Sequence, residues 1–258
     1  MRLEQDSAVI SEPFKASATT DCRSKNRLDE RLPLRQKQFG ASVLEAIAKR
    51  YCVLGVSSPP FADHLSTDGV QVFDRVRATA ERLRIPWQPE VRADSLPSGT
   101  DIIVAAHSHD FIGRKTRDRA TFGAIGFHPS LLPLHKGRDA VRWAIHDGDK
   151  VTGGSVYWLT NEIDAGPIAA QQHVFVRPGE TAESLWREQL APLGVRLLLK
   201  TLADLDHGLA VRVPQDESCA TWEPSFDRPP LFRPELPQLG TTSLRYELES
   251  LDGDGQGK

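Results

Sequence analysis

The sequence predicts an α/β protein with a mostly parallel sheet and helices packed on its faces. Short apolar runs alternate with longer segments whose apolar residues recur at helical spacing, which is the pattern of repeated strand–helix–strand units. The run over residues 101–106 is rich in β-branched side chains, which is typical of a buried parallel strand. We therefore expect right-handed crossovers and a ligand crevice at the carboxyl ends of the strands.

The elements follow in order along the chain. Val43, Leu44 and Ile47 have helical spacing, and the following CVLGVSSPP indicates a buried strand that ends at a turn. The remaining predicted elements are a helix over 70–83, strands over 101–106 and 124–128, a polar helix over 114–122 between them, a short helix over 139–146, an apolar strand running to 163, a strand over 172–176, and a long helix over 182–207 with a kink at Pro192.

Both ends of the chain differ in composition from its middle. Residues 1–35 are polar without sustained periodicity, which predicts a poorly ordered arm. Residues 214–258 are rich in proline and end in an acidic, glycine-rich stretch, which favours an extended wrapping tail. The catalytic domain is therefore expected over residues 36–213.

The composition predicts a globular protein without a membrane-spanning segment, a disulfide framework or a structural zinc site. The chain has 258 residues, 39% hydrophobic and 26% charged, which fits a globular fold. A formal net charge of -3 argues against a general nucleic-acid-binding surface, and no apolar run approaches the ~20 residues of a membrane span. The three cysteines are odd in number and scattered, which indicates neither a disulfide framework nor a structural zinc site. With no apolar segment at the N-terminus, we expect a cytoplasmic protein.

Two side chains capable of acid–base chemistry lie where predicted strands give way to loops. His128 ends the run AIGFH, and Asp164 stands in the sequence IDAGP after the next long strand. An imidazole beside a carboxylate can accept and return a proton near neutral pH. Each residue alone also fits a structural role, as an ordinary loop histidine or as the start of a turn. The two together predict an active site.

The motifs HPSLLP, K-G-R, TGGSVYWL and E-I-D-A-G-P-I resemble those of the folate-dependent formyltransferases. That family includes methionyl-tRNA formyltransferase, glycinamide ribonucleotide transformylase, sugar N-formyltransferases and formyltetrahydrofolate hydrolase. The resemblance covers residues 38–221 and implies the Rossmann-like formyltransferase fold. The family uses an Asn-x-His pair and an aspartate; His128 and Asp164 match, but Gly126 stands where the asparagine is expected. The family's first apolar strand is degraded here, because residues 31–35 are short, charged and interrupted by proline.

The resemblance also implies which residues meet the ligands. The expected formyl donor is 10-formyltetrahydrofolate, and the residues expected to contact it are Ala105, His107, His109, Phe111, Ile125, Gly126, Ile163 and Asp164. The residues expected to bind the acceptor are Ser130, Lys136 and Arg138, although the two cations equally fit a solvated helix start. His107 and His109 could also be a metal-ligand pair or plain polar loop residues. We expect no metal.

The favoured activity is formyl transfer from 10-formyltetrahydrofolate to a primary amine, similar to that of methionyl-tRNA formyltransferase. The acceptor could be a small-molecule amine, an amino sugar or an aminoacyl-tRNA. Hydrolysis of the same donor and folate binding without catalysis remain open. An absent side-chain donor at residue 126 costs ~10² to 10³ in rate. On the sequence alone, Gly126→Asn is therefore expected to raise activity and His128→Ala to abolish transfer.

Overall fold

The computed structural model describes residues 7–10, 38–59, 64–65, 71–72, 74–106 and 112–226. Seven strands form one sheet in the order β5-β2-β1-β6-β7-β8-β9. Their bounds are Ser7–Ile10 (β1), Gly55–Ser57 (β2), Trp87–Gln88 (β5), Ile102–Ala105 (β6), Ala124–His128 (β7), Val151–Trp158 (β8) and Ile168–Phe175 (β9). The strands β3 (His64–Leu65) and β4 (Gln71–Val72) form a separate antiparallel pair.

Strand directions confirm the α/β class with a mostly parallel sheet. The strands β2 and β5 are parallel, as are β6 and β7, while β1 runs antiparallel to both β2 and β6. The strand β8 is antiparallel to both β7 and β9. Five strands of this sheet (β2, β5, β6, β7 and β9) therefore share one direction, and β1 and β8 run the other way.

The strand β1 differs from the prediction made for the N-terminal arm. Residues 1–35 are predicted to be poorly ordered, yet Ser7–Ile10 pairs with β2 on one side and β6 on the other, in the interior of the sheet. A degraded first strand is predicted at residues 31–35, which lie outside the described residues. The four residues SAVI are too short for a periodic signal, and only their neighbours in the sheet reveal their role.

The helices cover the sheet and supply much of its core. Their bounds are Phe39–Ala48 (α1), Arg75–Leu83 (α2), Arg114–Arg117 (α3), Ala140–His146 (α4), Ala182–Ser184 (α5) and Ala191–Asp206 (α6). The helix α2 begins five residues later than the predicted 70–83, because Asp74 caps it by accepting the backbone N–H of Arg77 at 3.0 Å. The predicted polar helix over 114–122 is reduced to the single turn of α3.

The long helix predicted over 182–207 is present but not regular. A π-helical turn, Leu185–Leu190, joins α5 to α6 immediately before Pro192. Proline lacks the N–H that an α-helix would use at this point, so the wider turn accommodates it without ending the helix. The predicted kink thus takes the form of a π-helical turn. Leu190, Leu193, Leu197 and Leu198 are buried in the main core, as their spacing predicts.

After α6 the chain continues through residues 211–226, which we call the C-terminal strap and which include a short 3₁₀ turn, Glu217–Cys219. Val213 pairs with Ile168 through two backbone hydrogen bonds of 2.7 and 2.9 Å. The backbone N–H of Lys136 donates to the carbonyl of Thr221 at 3.0 Å, further along the strap. The strap therefore lies against the loops that follow β7 and β8. Within the described parts of the chain, no helix has the length and apolar character that crossing a membrane requires.

Candidate active site

His128 is placed by the end of β7. Its neighbour Phe127 packs into the main core, with its ring 5.4 Å from that of Phe39. Alternation along the strand then directs the next side chain to the opposite face of the sheet. His128 is only 7% exposed and lies opposite Ser155 in the antiparallel register with β8. The sequence Phe-His therefore anchors one side chain in the core and holds the other on the opposite face, at the carboxyl end of an interior strand.

Hydrogen bonding fixes the orientation of the His128 ring. Nε2 lies 2.8 Å from the carbonyl oxygen of His135. A carbonyl can only accept, so Nε2 carries a hydrogen and donates. In the neutral ring Nδ1 then holds the lone pair, and this atom lies 3.6 Å from Oδ2 of Asp164. The two predicted catalytic side chains are thus brought together, at a distance slightly longer than a direct hydrogen bond.

Asp164 lies in the loop between β8 and β9 rather than at a strand end. The strand β8 stops at Trp158, so the predicted strand running to residue 163 is too long. Asp164 has a φ of 52°, a left-handed conformation that short polar residues tolerate better than most. The side chain of Gln215, in the strap, donates to the carbonyls of Asp164 and Gly166, both at 2.7 Å. The strap therefore holds this loop by its backbone.

Each oxygen of the Asp164 carboxylate accepts a hydrogen bond from elsewhere in the site. The backbone N–H of Gly137 donates to Oδ2 at 2.8 Å, and the hydroxyl of Tyr157 donates to Oδ1 at 2.6 Å. Burial raises the pKa of Tyr157 well above its usual value, and the charge and hydrogen bond of Asp164 raise it further. The phenol is therefore a neutral donor throughout the physiological pH range. It lets the carboxylate stay charged in a buried position.

Tyr157 is missing from the site residues predicted from sequence. The available signal is its position on β8, two residues after Ser155, which places both side chains on the same face of the sheet. His128 pairs with Ser155, and Gly126 pairs with Tyr157. A strand register is therefore needed to recognise Tyr157 as part of the site, and the sequence does not supply one.

The residues predicted to contact the formyl donor fall into two groups. Ala105, Ile125 and Gly126 are buried on neighbouring strands, with Ala105 directly paired to Gly126. Ile163 is 62% exposed beside the buried Asp164. His107, His109 and Phe111 lie outside the described residues. Ile125 packs in the main core with Phe127, on the face of β7 opposite His128, and donor contact by the other members stays a prediction.

Two of the three residues predicted to bind the acceptor make hydrogen bonds within the protein instead. The hydroxyl of Ser130 is buried and donates to the carbonyl of Leu134 at 2.5 Å. Lys136 is 1% exposed, and its ammonium donates to both carboxylate oxygens of Glu217, in the strap, at 2.6 and 2.7 Å. Arg138 is exposed and lies two residues before α4. Ser130 and Lys136 thus hold the loop and the strap, and a role in acceptor binding stays a prediction.

A second histidine, His135, links the same loop to two acids. Its Nε2 lies 2.9 Å from Asp149, and its Nδ1 lies 3.2 Å from Glu223, in the strap. His135, Asp147 and Glu223 present ligand-type atoms within 4.8 Å of one another, so these are the described residues that could hold a metal ion. Only Nε2 has a hydrogen-bond partner, Asp149, while Nδ1 and Glu223 lie at ion-pair distance without a hydrogen bond.

Comparison with known proteins places this site in context. A family model described as formyl transferase matches residues 55–202. The chain is 32% identical over 222 residues to mitochondrial 10-formyltetrahydrofolate dehydrogenase from Mus musculus, covering 83% of this chain and 24% of that protein. It is 33% identical over 199 residues to methionyl-tRNA formyltransferase from Lactobacillus delbrueckii subsp. bulgaricus, covering 74% and 62%. The chain thus spans about a quarter of the first relative and under two thirds of the second.

Solved structures agree on the fold. The N-formyltransferase from Helicobacter canadensis, in complex with folinic acid and dTDP-3-aminofucose, superposes with a TM-score of 0.60 at 17% identity, covering 74% of this chain and 69% of that one. Glycinamide ribonucleotide transformylase 1 from Symbiobacterium toebii gives a TM-score of 0.56 at 23% identity, covering 69% and 89%. The family match covers more than half of the chain and includes both His128 and Asp164. The chain belongs to the formyl transferase family.

Proposed function

We propose that this protein transfers a formyl group from 10-formyltetrahydrofolate to a primary amine. The observation that carries the proposal is the meeting of His128 and Asp164, 3.6 Å apart, where β7 ends. The two residues come from distant parts of the chain, and both are buried. A buried imidazole and carboxylate are arranged here as a proton-transfer pair.

The choice of donor is supported by relatives and by the residues present. One relative is named a 10-formyltetrahydrofolate dehydrogenase, and the Helicobacter canadensis N-formyltransferase is described in complex with folinic acid. In this chain, Ile163 presents an exposed apolar side chain next to Asp164. Apolar surface beside a few directed polar groups suits a flat heterocyclic ligand.

The described residues supply the proton transfers that the reaction needs. When bound, 10-formyltetrahydrofolate provides the formyl carbon and the nitrogen that leaves it. The attacking amine must lose a proton as its bond to the formyl carbon forms, and the departing nitrogen must gain one. His128, with Nε2 held by the carbonyl of His135, offers Nδ1 to accept and return that proton. Asp164 lies close enough to stabilise the charged ring in between.

The relatives support an amine as the acceptor of the formyl group but do not identify which amine. Methionyl-tRNA is the first acceptor to test, because of the 33% identity to a methionyl-tRNA formyltransferase over 199 residues. An amino sugar is the second, because of the nucleotide-sugar named with the Helicobacter canadensis structure. Small amines complete the panel. The exposed cysteines Cys52 and Cys219 suit a reducing compartment such as the cytoplasm.

The test follows release of tetrahydrofolate by purified protein supplied with 10-formyltetrahydrofolate, with and without each acceptor. We expect release that depends on the amine and that falls ~10² to 10⁴-fold in His128→Ala. The matched control is His173→Ala, an exposed histidine on β9, which should keep wild-type activity. Circular dichroism verifies that both variants fold.

Three outcomes would contradict the proposal in different ways. Release that does not depend on any amine would indicate hydrolysis of the donor. Binding of the donor without release would indicate a folate-binding protein that lacks catalysis. Amine-dependent release that persists unchanged in a folded His128→Ala variant would remove His128 from the mechanism.

A further inference from the structure

Gly126 and Tyr157 face each other across the antiparallel pair of β7 and β8. A Cβ atom added at Gly126 would lie 3.3 Å from Cε1 of Tyr157 and 3.0 Å from Cδ2 of Leu159. Both distances are tighter than ordinary van der Waals contact between carbons, about 3.5–4.0 Å. The aromatic ring of Tyr157 therefore lies over the glycine, in the space that a side chain at residue 126 would enter.

The same ring delivers its hydroxyl to the proton-transfer pair. Tyr157 is 8% exposed, and its hydroxyl donates to Oδ1 of Asp164 at 2.6 Å. The other oxygen, Oδ2, faces Nδ1 of His128. The phenol on Oδ1 and the backbone N–H of Gly137 on Oδ2 together hold the carboxylate with Oδ2 facing the imidazole.

We infer that Gly126 and Tyr157 are a matched pair in which the glycine admits the ring and Tyr157 positions Asp164 against His128. This inference rests on the proposed function and adds a positioning residue to it. The absent side chain at residue 126 is then not a simple loss, because the space is used by a hydrogen-bond donor from β8. The expectation that Gly126→Asn raises activity is accordingly reversed: the larger side chain displaces the ring and activity falls.

The first test removes only the hydroxyl, in Tyr157→Phe. We expect kcat to fall about 10- to 100-fold, the usual effect of losing a group that orients a reactive residue, with KM for the donor little changed. The acid limb of the pH–rate profile should move to higher pH, because a carboxylate that has lost a donor binds its proton more readily. A merely structural role would leave that limb in place. Tyr51→Phe, a phenol outside the site, is the matched control.

The second test is a double-mutant cycle that combines Gly126→Ala with Tyr157→Phe and measures kcat. Gly126→Ala should lower kcat in the wild-type background, since the methyl group presses on the Tyr157 ring. The same change should cost much less in Tyr157→Phe, where the hydroxyl whose placement it disturbs is already gone. Additive effects of the two changes would contradict the matched pair, and so would a gain in activity in a folded Gly126→Asn variant.

A third measurement does not depend on turnover, so it separates this inference from the proposed function. The ring protons of His128 are assigned by NMR from their loss in His128→Ala and titrated with pH in wild type and Tyr157→Phe. We expect the two curves to differ, because the carboxylate that faces the ring is no longer held by the phenol. Superimposable curves would overturn the positioning role even if the protein proved inactive, whereas inactivity with shifted curves would overturn only the proposed function.

Discussion

Ser155 connects the strand beside His128 to the loop that follows it. The residue is completely buried, and its hydroxyl donates to the carbonyl of Ser130 at 2.7 Å. The same oxygen accepts the backbone N–H of Leu132 at 3.1 Å and the side-chain amide of Gln171 at 2.8 Å. One hydroxyl on β8 thus satisfies several polar groups of the HPSLLP loop, which would otherwise be buried without partners.

Replacing Ser155 with alanine should therefore destabilise the protein and the site together. Removing one partner of a buried hydrogen bond costs about 1–3 kcal/mol. We therefore expect Ser155→Ala to lower the free energy of unfolding by about 1 kcal/mol or more. Urea denaturation measures the change, with Ser98→Ala, at an exposed serine, as control. Equal stability of the two variants would mean that the loop does not depend on this hydroxyl.

At the scale of single residues, the sequence predicts some members of the candidate site and misses others. His128 and Asp164 could be found because each belongs to a motif whose residues are close together in the chain. Tyr157 and Ser155 act on partners that a strand register brings to them, and Gln215 acts on Asp164 from the strap. Such contacts leave no local pattern, so only the folded chain reveals them.

At the scale of elements, the position of β7 depends on the ring of Phe127, which packs between Gly154 and Gly194. A Cβ atom at Gly194, on α6, would lie 2.7 and 2.8 Å from atoms of the Phe127 ring and 2.8 Å from Cζ of Phe39. A Cβ atom at Gly154, on β8, would lie 2.6 Å from the Phe127 ring. The absence of side chains at these two positions lets Phe127 sit deep in the core and thereby sets the position of His128.

This packing gives an unusual expected sign for a helix substitution. In an α-helix, Gly→Ala normally stabilises by about 1 kcal/mol. At Gly194 the added methyl group would overlap two aromatic rings, and overpacking of this kind costs about 1–3 kcal/mol. We expect Gly194→Ala to lower the melting temperature, and the smaller side chain of Phe127→Leu to recover part of the loss when the two changes are combined. A Gly194→Ala variant more stable than wild type would show that the rings move aside freely.

The C-terminal strap shows why a boundary between domains is hard to place from composition. Proline and polar residues over 214–258 predict a tail outside the catalytic domain. Within that stretch, Glu217 neutralises the buried Lys136, and the hydroxyl of Thr221 accepts the backbone N–H of His135 at 2.7 Å. His135 is the residue whose carbonyl orients His128. These contacts make residues 211–226 part of the frame of the candidate site.

At the scale of the whole molecule, the alternation of strands and helices was enough to predict an α/β fold, and it was not enough to predict the sheet's full order. The run over 101–106 reads as a buried strand because it is apolar on both faces, and the structure buries all of β6. The strand β1 has only four residues in a polar region, so its central place depends on pairing with β2 and β6. Long-range pairing of this kind is decided by neighbours and not by local propensity.

The buried phenol also couples the stability of the whole molecule to pH. Since burial and Asp164 raise the pKa of Tyr157 in the folded state, while the unfolded phenol has a pKa of about 10, the folded form holds its proton more tightly. The resulting stabilisation is complete below about pH 10 and is lost as the pH rises through the folded-state value, by about 1.4 kcal/mol per pH unit.

Above pH 10, the free energy of unfolding of wild type should therefore fall faster than that of Tyr157→Phe. Urea denaturation between pH 8 and 11 measures both, and Tyr51→Phe controls for loss of another of the three tyrosines. If the difference between wild type and Tyr157→Phe stayed constant over that range, the phenol would be ionising as freely in the folded protein as in the unfolded chain, and its tight hydrogen bond to Asp164 could not be maintained.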